Sequence, residues 1–225
     1  MARTRCTPAC LAAMLVGMRR TTISLVTLVV VLLGVAAGPA AAAPAPVGRE
    51  HLLTLADYAT VYPDMDDPIR IVMRSPLFAP RGCDDQEQVV RGSSRILGSV
   101  SPASRRRSVA LIDQNVVRFP SKRAARLLVQ RYRFFTKRCV GDVHTDDGEG
   151  GKVLLKNRAW IPPRVGDESS GVLIGWVQGG ATTWRRVLVT RVGRTVSVLD
   201  VSFTEVRPPK ADLLALGALA VERLG

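Results

Sequence analysis

The sequence predicts an α+β domain: an antiparallel β-sheet of about five strands, covered by helices and held by a single disulfide. Three observations carry that expectation. Residues 108–119 are rich in β-branched and apolar side chains, as a largely buried strand is. After Pro120, Ser121 is a natural N-cap, and Ala124, Leu128, Tyr132, Phe135 and Cys139 then recur every three or four residues as one helical face. Residues 152–205 hold apolar runs separated by short Gly-containing turns, and strands joined that tightly pair antiparallel.

Taken in order, the chain opens on an export signal over residues 1–42. Met18-Arg-Arg precedes an apolar run at 23–37, and Ala40-x-Ala42 offers the small residues a signal peptidase needs. The run is about 15 residues long, short of the roughly 20 a membrane-spanning helix requires. Residues 1–17 read as a leader extension or an overlong start. The mature chain should begin near Ala43, and N-terminal sequencing of secreted material that retained Met1 or Met18 would refute this.

Residues 43–48 are a Pro/Ala linker, and 49–225 the domain proper. A helix is expected over 49–62, with Leu52, Leu55, Ala56 and Ala59 on one face and Pro63 ending it. Residues 68–82 are irregular apart from a short strand at 69–73. Asp84 should cap a second helix, with Val89, Ile96 and Leu97 facing inward. A polar connection with Arg105-Arg106-Arg107 leads into the strand at 108–119 and the helix at 121–139. The opposite face of that helix, Lys122, Arg126, Gln130, Arg133 and Lys137, is basic or polar.

Residues 140–151 read as an exposed acidic loop. It has a calcium-loop flavour but misses the EF-hand template: Asp147 stands where the Gly belongs and Val153 where the closing Glu belongs. Strands follow at 152–161, 172–178, 184–192 and 195–205, with a turn-rich crossing at 162–171 and a hairpin through Gly179-Gly180. Pro208-Pro209 then opens a last helix with Leu213, Leu216, Ala220 and Leu224 on its apolar face.

Composition narrows the function. Hydrophobic residues make up 47% and aromatics 5%, so the core must be built from aliphatic side chains. The net charge of +13 includes Arg3, Arg5, Arg19 and Arg20 of the leader. The 32 Lys and Arg less those four leave 28 bases against 19 acids, a net +9 for the rest. An arginine-biased soluble surface explains that charge, and attraction to anionic partners is the functional alternative. Nucleic-acid binding is disfavoured, because the chain is exported and its basic residues are not interleaved with aromatics.

Cys6 and Cys10 fall in the leader, leaving Cys83 and Cys139, which are expected to pair as cysteines of exported chains do. The bridge would close a loop of about 56 residues and stabilise by roughly 4 kcal/mol on the chain-entropy model. Two buried thiols are the alternative. No metal site is expected, since Cys83, Cys139, His51 and His144 lack paired ligand spacing. No cofactor fingerprint or kinase signature is present. Gly166-Asp-Glu-Ser-Ser-Gly171 is not G-x-S-x-G, and His144 lies among acids and glycines, so no catalytic residues and no enzyme activity are expected.

Val116-Val-Arg-Phe-Pro-Ser121, the helix ending at Cys139, Gly166-Asp-Glu-Ser169, Arg191-Val-Gly-Arg-Thr-Val196 and the Leu-rich last helix resemble the PknH-like extracellular sensor domain of actinobacteria. The resemblance covers residues 51–224. Such domains stand outside a transmembrane serine/threonine kinase or occur alone as exported proteins and lipoproteins. It implies an antiparallel sheet with helices, a cleft, and recognition of an unidentified extracellular ligand. The family commonly has two disulfides, and this chain can form one after cleavage. Signalling would need a partner protein, since no kinase is present.

The expectation is therefore a secreted or envelope-associated, non-enzymatic sensor domain whose partner is a small molecule or envelope component. Trp160, Trp176 and Trp184 lie on neighbouring strands and are candidates for lining its pocket, with core packing as their plainer role. The rival is a basic adaptor that holds anionic wall polymer or lipid headgroups through the basic helix face.

Overall fold

Alternation of apolar and polar residues governs more of this chain than helical periodicity does. The computed structural model describes residues 45–65, 67–83, 87–101, 109–146 and 150–225. The signal segment with Ala40-x-Ala42, the start of the linker, the Asp84 cap, the Arg105-Arg106-Arg107 triple and Asp147 lie outside the described residues.

Ten strands are found among the described residues: β1 (Ile69–Met73), β2 (Phe78–Pro80), β3 (Glu87–Val89), β4 (Ser94–Ser101), β5 (Val109–Arg118), β6 (Gly141–Asp146), β7 (Lys152–Trp160), β8 (Glu168–Gln178), β9 (Ala181–Val192) and β10 (Thr195–Thr204). They are accompanied by α1 (Leu55–Val61), α2 (Lys122–Arg138) and α3 (Lys210–Leu224), with a 3₁₀ turn at Arg49–His51. Eight strands form one antiparallel sheet in the order β1-β4-β5-β10-β9-β8-β7-β6, and β2 pairs with β3 as a separate hairpin.

The expected α+β domain of about five strands under helices is thereby corrected: the domain is sheet-rich, with eight strands in its main sheet, two in a second, and three α-helices among the described residues. The second expected helix does not form. Its residues make β3 and β4 instead, and β4 buries Ile96, Gly98 and Val100 in strict alternation. Glycine and serine, frequent there, favour helix weakly, so cross-strand pairing with β5 decides the conformation. The expected loop at 140–151 contains β6, an edge strand whose Asp142, His144 and Asp146 face water; polar side chains suit an edge. The helix expected over 49–62 breaks at residues 52–54, where Leu52 and Leu53 are buried. Thr54 then caps α1: its N–H donates to Asp57 Oδ2 at 2.6 Å, while the Asp57 N–H donates to Thr54 Oγ1 at 3.3 Å.

Helices pack on both faces of the sheet. On one face α2 buries Leu128, Val129, Tyr132 and Phe135 against Val172, Val187, Val189, Val196 and Val198. On the other, α1 and α3 bury Tyr58, Leu213, Leu216 and Ala220 against Ile112, Leu188, Leu199 and Val201. Ser121 caps α2, accepting from the Ala124 N–H at 3.1 Å, and Lys137 and Arg138 in its last turn suit the negative end of the helix dipole. Gly179 and Gly180 carry φ of 58° and 85° in the two-residue β8–β9 turn, a conformation side chains disfavour.

Cys83 and Cys139 are bonded. The bridge joins the β2–β3 connection to the C-cap of α2, and Asn157 Nδ2 donates to the Cys83 carbonyl at 3.2 Å. The hairpin is thereby held on the α2 face of the sheet, beside the helix.

Candidate functional site

Two strands rich in valine each carry an aspartate in mid-run, and the fold sets these side by side. Asp113 of β5 and Asp200 of β10 are direct cross-strand partners. Like charges in that position repel. Arg185 of β9 moderates the repulsion: its Nε donates to Asp200 Oδ2 at 3.1 Å, and its Nη2 donates to the same oxygen. Asp200 is the more buried member of this ion pair, with its side chain 16% exposed against 42% for Arg185.

These groups floor a cleft of about 240 Å³. Its apolar walls come from Leu97, Val172, Ile174, Val187 and Val198 of the sheet. Tyr132 of α2 closes one side, and Phe78, Pro80 and Glu87 of the hairpin overhang it. Burial, and after it the neighbouring Asp200 charge, raise the Asp113 carboxyl above the usual carboxylate range; a hydrogen bond from Ser99 and the Arg185 charge act the other way. Burial likewise pushes the Tyr132 hydroxyl well above the ordinary tyrosine value. Asp200 Oδ1 is buried and has no hydrogen-bond partner among the described residues. The cleft therefore joins a cation, an acceptor without a partner and a carboxyl with raised proton affinity, under apolar walls. Such a set can orient a small polar molecule.

Asp113 makes a testable prediction. Because its folded pKa is raised, its ionisation costs stability at neutral pH, and that cost disappears below the unfolded value of about 4. Asp113→Asn should therefore stabilise the domain by about 0.5–1 kcal/mol at pH 7, and the gain should shrink toward zero near pH 4. Urea denaturation at both pH values checks this; a loss of stability at pH 7 would contradict it.

The tryptophans singled out from the sequence do not gather in this cleft. Trp160 and Trp184 lie on the α3 face of the sheet, opposite Gly171 and Gly175. A Cβ on Gly171 would stand 2.5 Å from the Trp160 ring, and one on Gly175 would stand 2.8 Å from Trp184, so each ring lies flat over a glycine. Arg186 covers Trp160 with its guanidinium carbon 4.9 Å from the ring centroid, and Arg207 covers Trp184 at 4.6 Å. Trp176 pairs with Leu155 and Thr183, which places it on the α2 face, and its Nε1 donates to Gln178 at 3.3 Å. Strand alternation is the reason: adjacent strands do not guarantee a shared face.

His144 is exposed on β6, and Ser169 Oγ donates to the Pro163 carbonyl at 2.9 Å. His51 accepts from the Gly48 N–H through Nδ1 at 3.1 Å, with Nε2 3.3 Å from Arg118. Of the basic α2 face, Lys122 and Lys137 point to solvent, whereas Arg126 and Arg133 turn toward Glu168 of β8.

By sequence, the chain matches no protein-family model and no curated protein significantly. By fold, it is similar to the crystal structure of the extracellular domain of PknH from Mycobacterium tuberculosis, with a TM-score of 0.55 and 15% identity, over 80% of this chain and 97% of that one. At that identity the likeness is one of fold. Among the described residues, no helix is long and apolar enough to cross a membrane.

Proposed function

We propose that this chain is an exported, non-enzymatic sensor-type domain that holds a small extracytoplasmic ligand in the cleft between the β2–β3 hairpin, α2 and the sheet. The observation that carries the reading is the pairing of Asp113 with Asp200 and Arg185 on the cleft floor, where an unpartnered carboxylate oxygen awaits a donor. Natural cores do not keep facing carboxylates for stability, since these weaken the sheet. A ligand that donates a hydrogen bond to Asp200 Oδ1 offsets that weakness, as binding sites in general sacrifice stability for function. The similarity of fold to an extracellular domain supports the exported setting. The resemblance to PknH-like sensor domains points the same way.

The ligand class that fits is a small amine or polyol, whose donors meet the carboxylates and whose carbon skeleton meets the valine walls. A thermal-shift panel of small amines, polyols and amino acids tests this, because a ligand of the folded state raises Tm with concentration. At least one class should raise Tm in the wild-type protein and fail to do so in Asp113→Asn. A panel that shifts neither protein, or both alike, rejects the cleft as the binding site.

A further inference from the structure

A second cavity shares no lining residue with the cleft. It lies where α2 passes the start of β8. Arg126 and Arg133 stand about two turns apart on α2 and so project from one face. Arg126 Nε donates to Glu168 Oε1 at 2.8 Å, and Arg133 Nη1 lies 3.5 Å from Glu168 Oε2. Arg191 of β9 donates through Nη2 to the same Glu168 Oε1 at 3.0 Å, and through Nη1 to Asp167 Oδ2 at 2.9 Å and the Gly193 carbonyl at 2.8 Å. The Arg191 side chain is 5% exposed, which makes it the fixed post of the cluster. Arg164 completes it, donating through Nε to the Gly166 carbonyl at 3.4 Å.

The cavity measures about 620 Å³, and its wall carries four guanidinium groups against two carboxylates, leaving two positive charges in excess. The carboxylates stay ionised. Asp167 is held below its usual range first by the hydrogen bond from the Gly193 N–H, then by Arg191, Lys122 and Arg164. Burial raises the Glu168 carboxyl, and hydrogen bonds from Arg126 and Arg191 more than reverse it. Arg126 and Arg164 each make their bond through Nε, so the terminal nitrogens of both remain to donate elsewhere. Guanidinium forks of this kind match tetrahedral oxyanions.

The arginine cavity is not isolated. A neighbouring cavity of about 380 Å³ shares Arg133, Ile161, Pro162 and Ser169 with it and continues to Trp160 and Thr136. Ile161 is 80% exposed at this shared wall. We infer that the two cavities together bind an amphiphilic phosphate ester: the phosphate on Arg126, Arg133 and Arg164, and its apolar substituent against Ile161 and Pro162. The cleft plays no part in this site, so either reading can fail without the other.

Calorimetric titration of the mature protein at low salt tests the proposal with three probes: glycerol phosphate, monomeric dihexanoyl phosphatidylglycerol, and phosphatidylglycerol vesicles. Glycerol phosphate should bind saturably, and the short-chain lipid about tenfold more tightly because its chains leave water. Arg126→Gln/Arg164→Gln, at two exposed positions, should weaken both soluble probes about tenfold or more. Arg74→Gln/Lys210→Gln removes the same charge from exposed sites elsewhere and should change neither. Saturable binding of both soluble probes assigns the site to the phosphate ester itself, and added affinity for vesicles then identifies a lipid as its source. Three results overturn the proposal: no saturable binding of the soluble probes, binding to vesicles alone, or equal weakening by the two double variants. Equal affinity for glycerol phosphate and the short-chain lipid overturns its apolar half.

Discussion

Replacing Cys139 with serine is expected to lower the unfolding free energy by about 2–5 kcal/mol, the usual effect of removing a native bridge from an exported domain. The bridge spans 56 residues of sequence, enough for loop closure alone to account for about 4 kcal/mol of that. The loss should not be spread evenly. A two-stranded hairpin is marginal by itself, and β2 and β3 are three residues each. Apart from the bridge, the hairpin region is held by burial of Leu77, Ala79 and Val90 and by bonds such as Arg131 to Gln88 at 3.3 Å. Phe78 and Glu87 overhang the cleft from this hairpin, so the variant should loosen the cleft before the sheet. Urea denaturation should show a lower midpoint, and hydrogen exchange should show hairpin amides losing protection first. An unmoved midpoint with a fully protected hairpin would refute both statements.

Trp160→Ala should cost about 3–5 kcal/mol, the range for removing a buried tryptophan. Its ring is 4% exposed and lies between Gly171 and Arg186. Arg186 itself is 4% exposed, donates through Nε to the Pro208 carbonyl at 2.6 Å, and has no hydrogen-bond partner for Nη1 among the described residues. Burial and the nearby Arg207 charge pull its pKa down, a sign of a cation short of solvation. The indole face supplies part of that missing solvation. Truncation therefore leaves a cavity and strips a buried cation at once, which places the expected loss toward the upper end. Thermal unfolding measures it. A loss below about 1 kcal/mol would show that the ring is not a packing element.

The sequence announces some of this architecture clearly. The strand β5, the helix α2 and the run of strands from β7 to β10 stand within a few residues of the positions their periodicity implies. Each is long enough for its period to dominate. Where the reading failed, the signal was short or borrowed. Val89, Ile96 and Leu97 imitate a helical face, yet Ile96 and Leu97 point to opposite sides of β4. The acids of 140–151 disguise an edge strand, because an edge needs few apolar residues. The cleft was missed for a different reason. Arg185 and Asp200 share the β9–β10 hairpin, but Asp113 stands more than seventy residues before them, and only the β5–β10 register brings it alongside. A hint was present all the same: each aspartate interrupts an apolar strand, a place where a charge is costly unless it has a purpose. The tryptophans drew attention by size, and size favoured packing.

The strand order also dictates a sequence of events in folding. Strands β6 to β10 are consecutive neighbours, so that part of the sheet grows by closing short hairpins. The seam between β5 and β10 is different: it joins Val117 to Val196 across α2 and four intervening strands. Contacts so distant along the chain form slowly, since the ordering of the intervening loop precedes any reward. Pulse-labelled hydrogen exchange should find the β8–β9 and β9–β10 pairings protected before the β5–β10 seam. Asp113 and Asp200 lie on opposite sides of that late seam, so the cleft comes into being with the last pairing step. A ligand that grips both carboxylates would thus recognise only chains that have finished folding, and its binding would act as a latch on the slowest seam of the sheet.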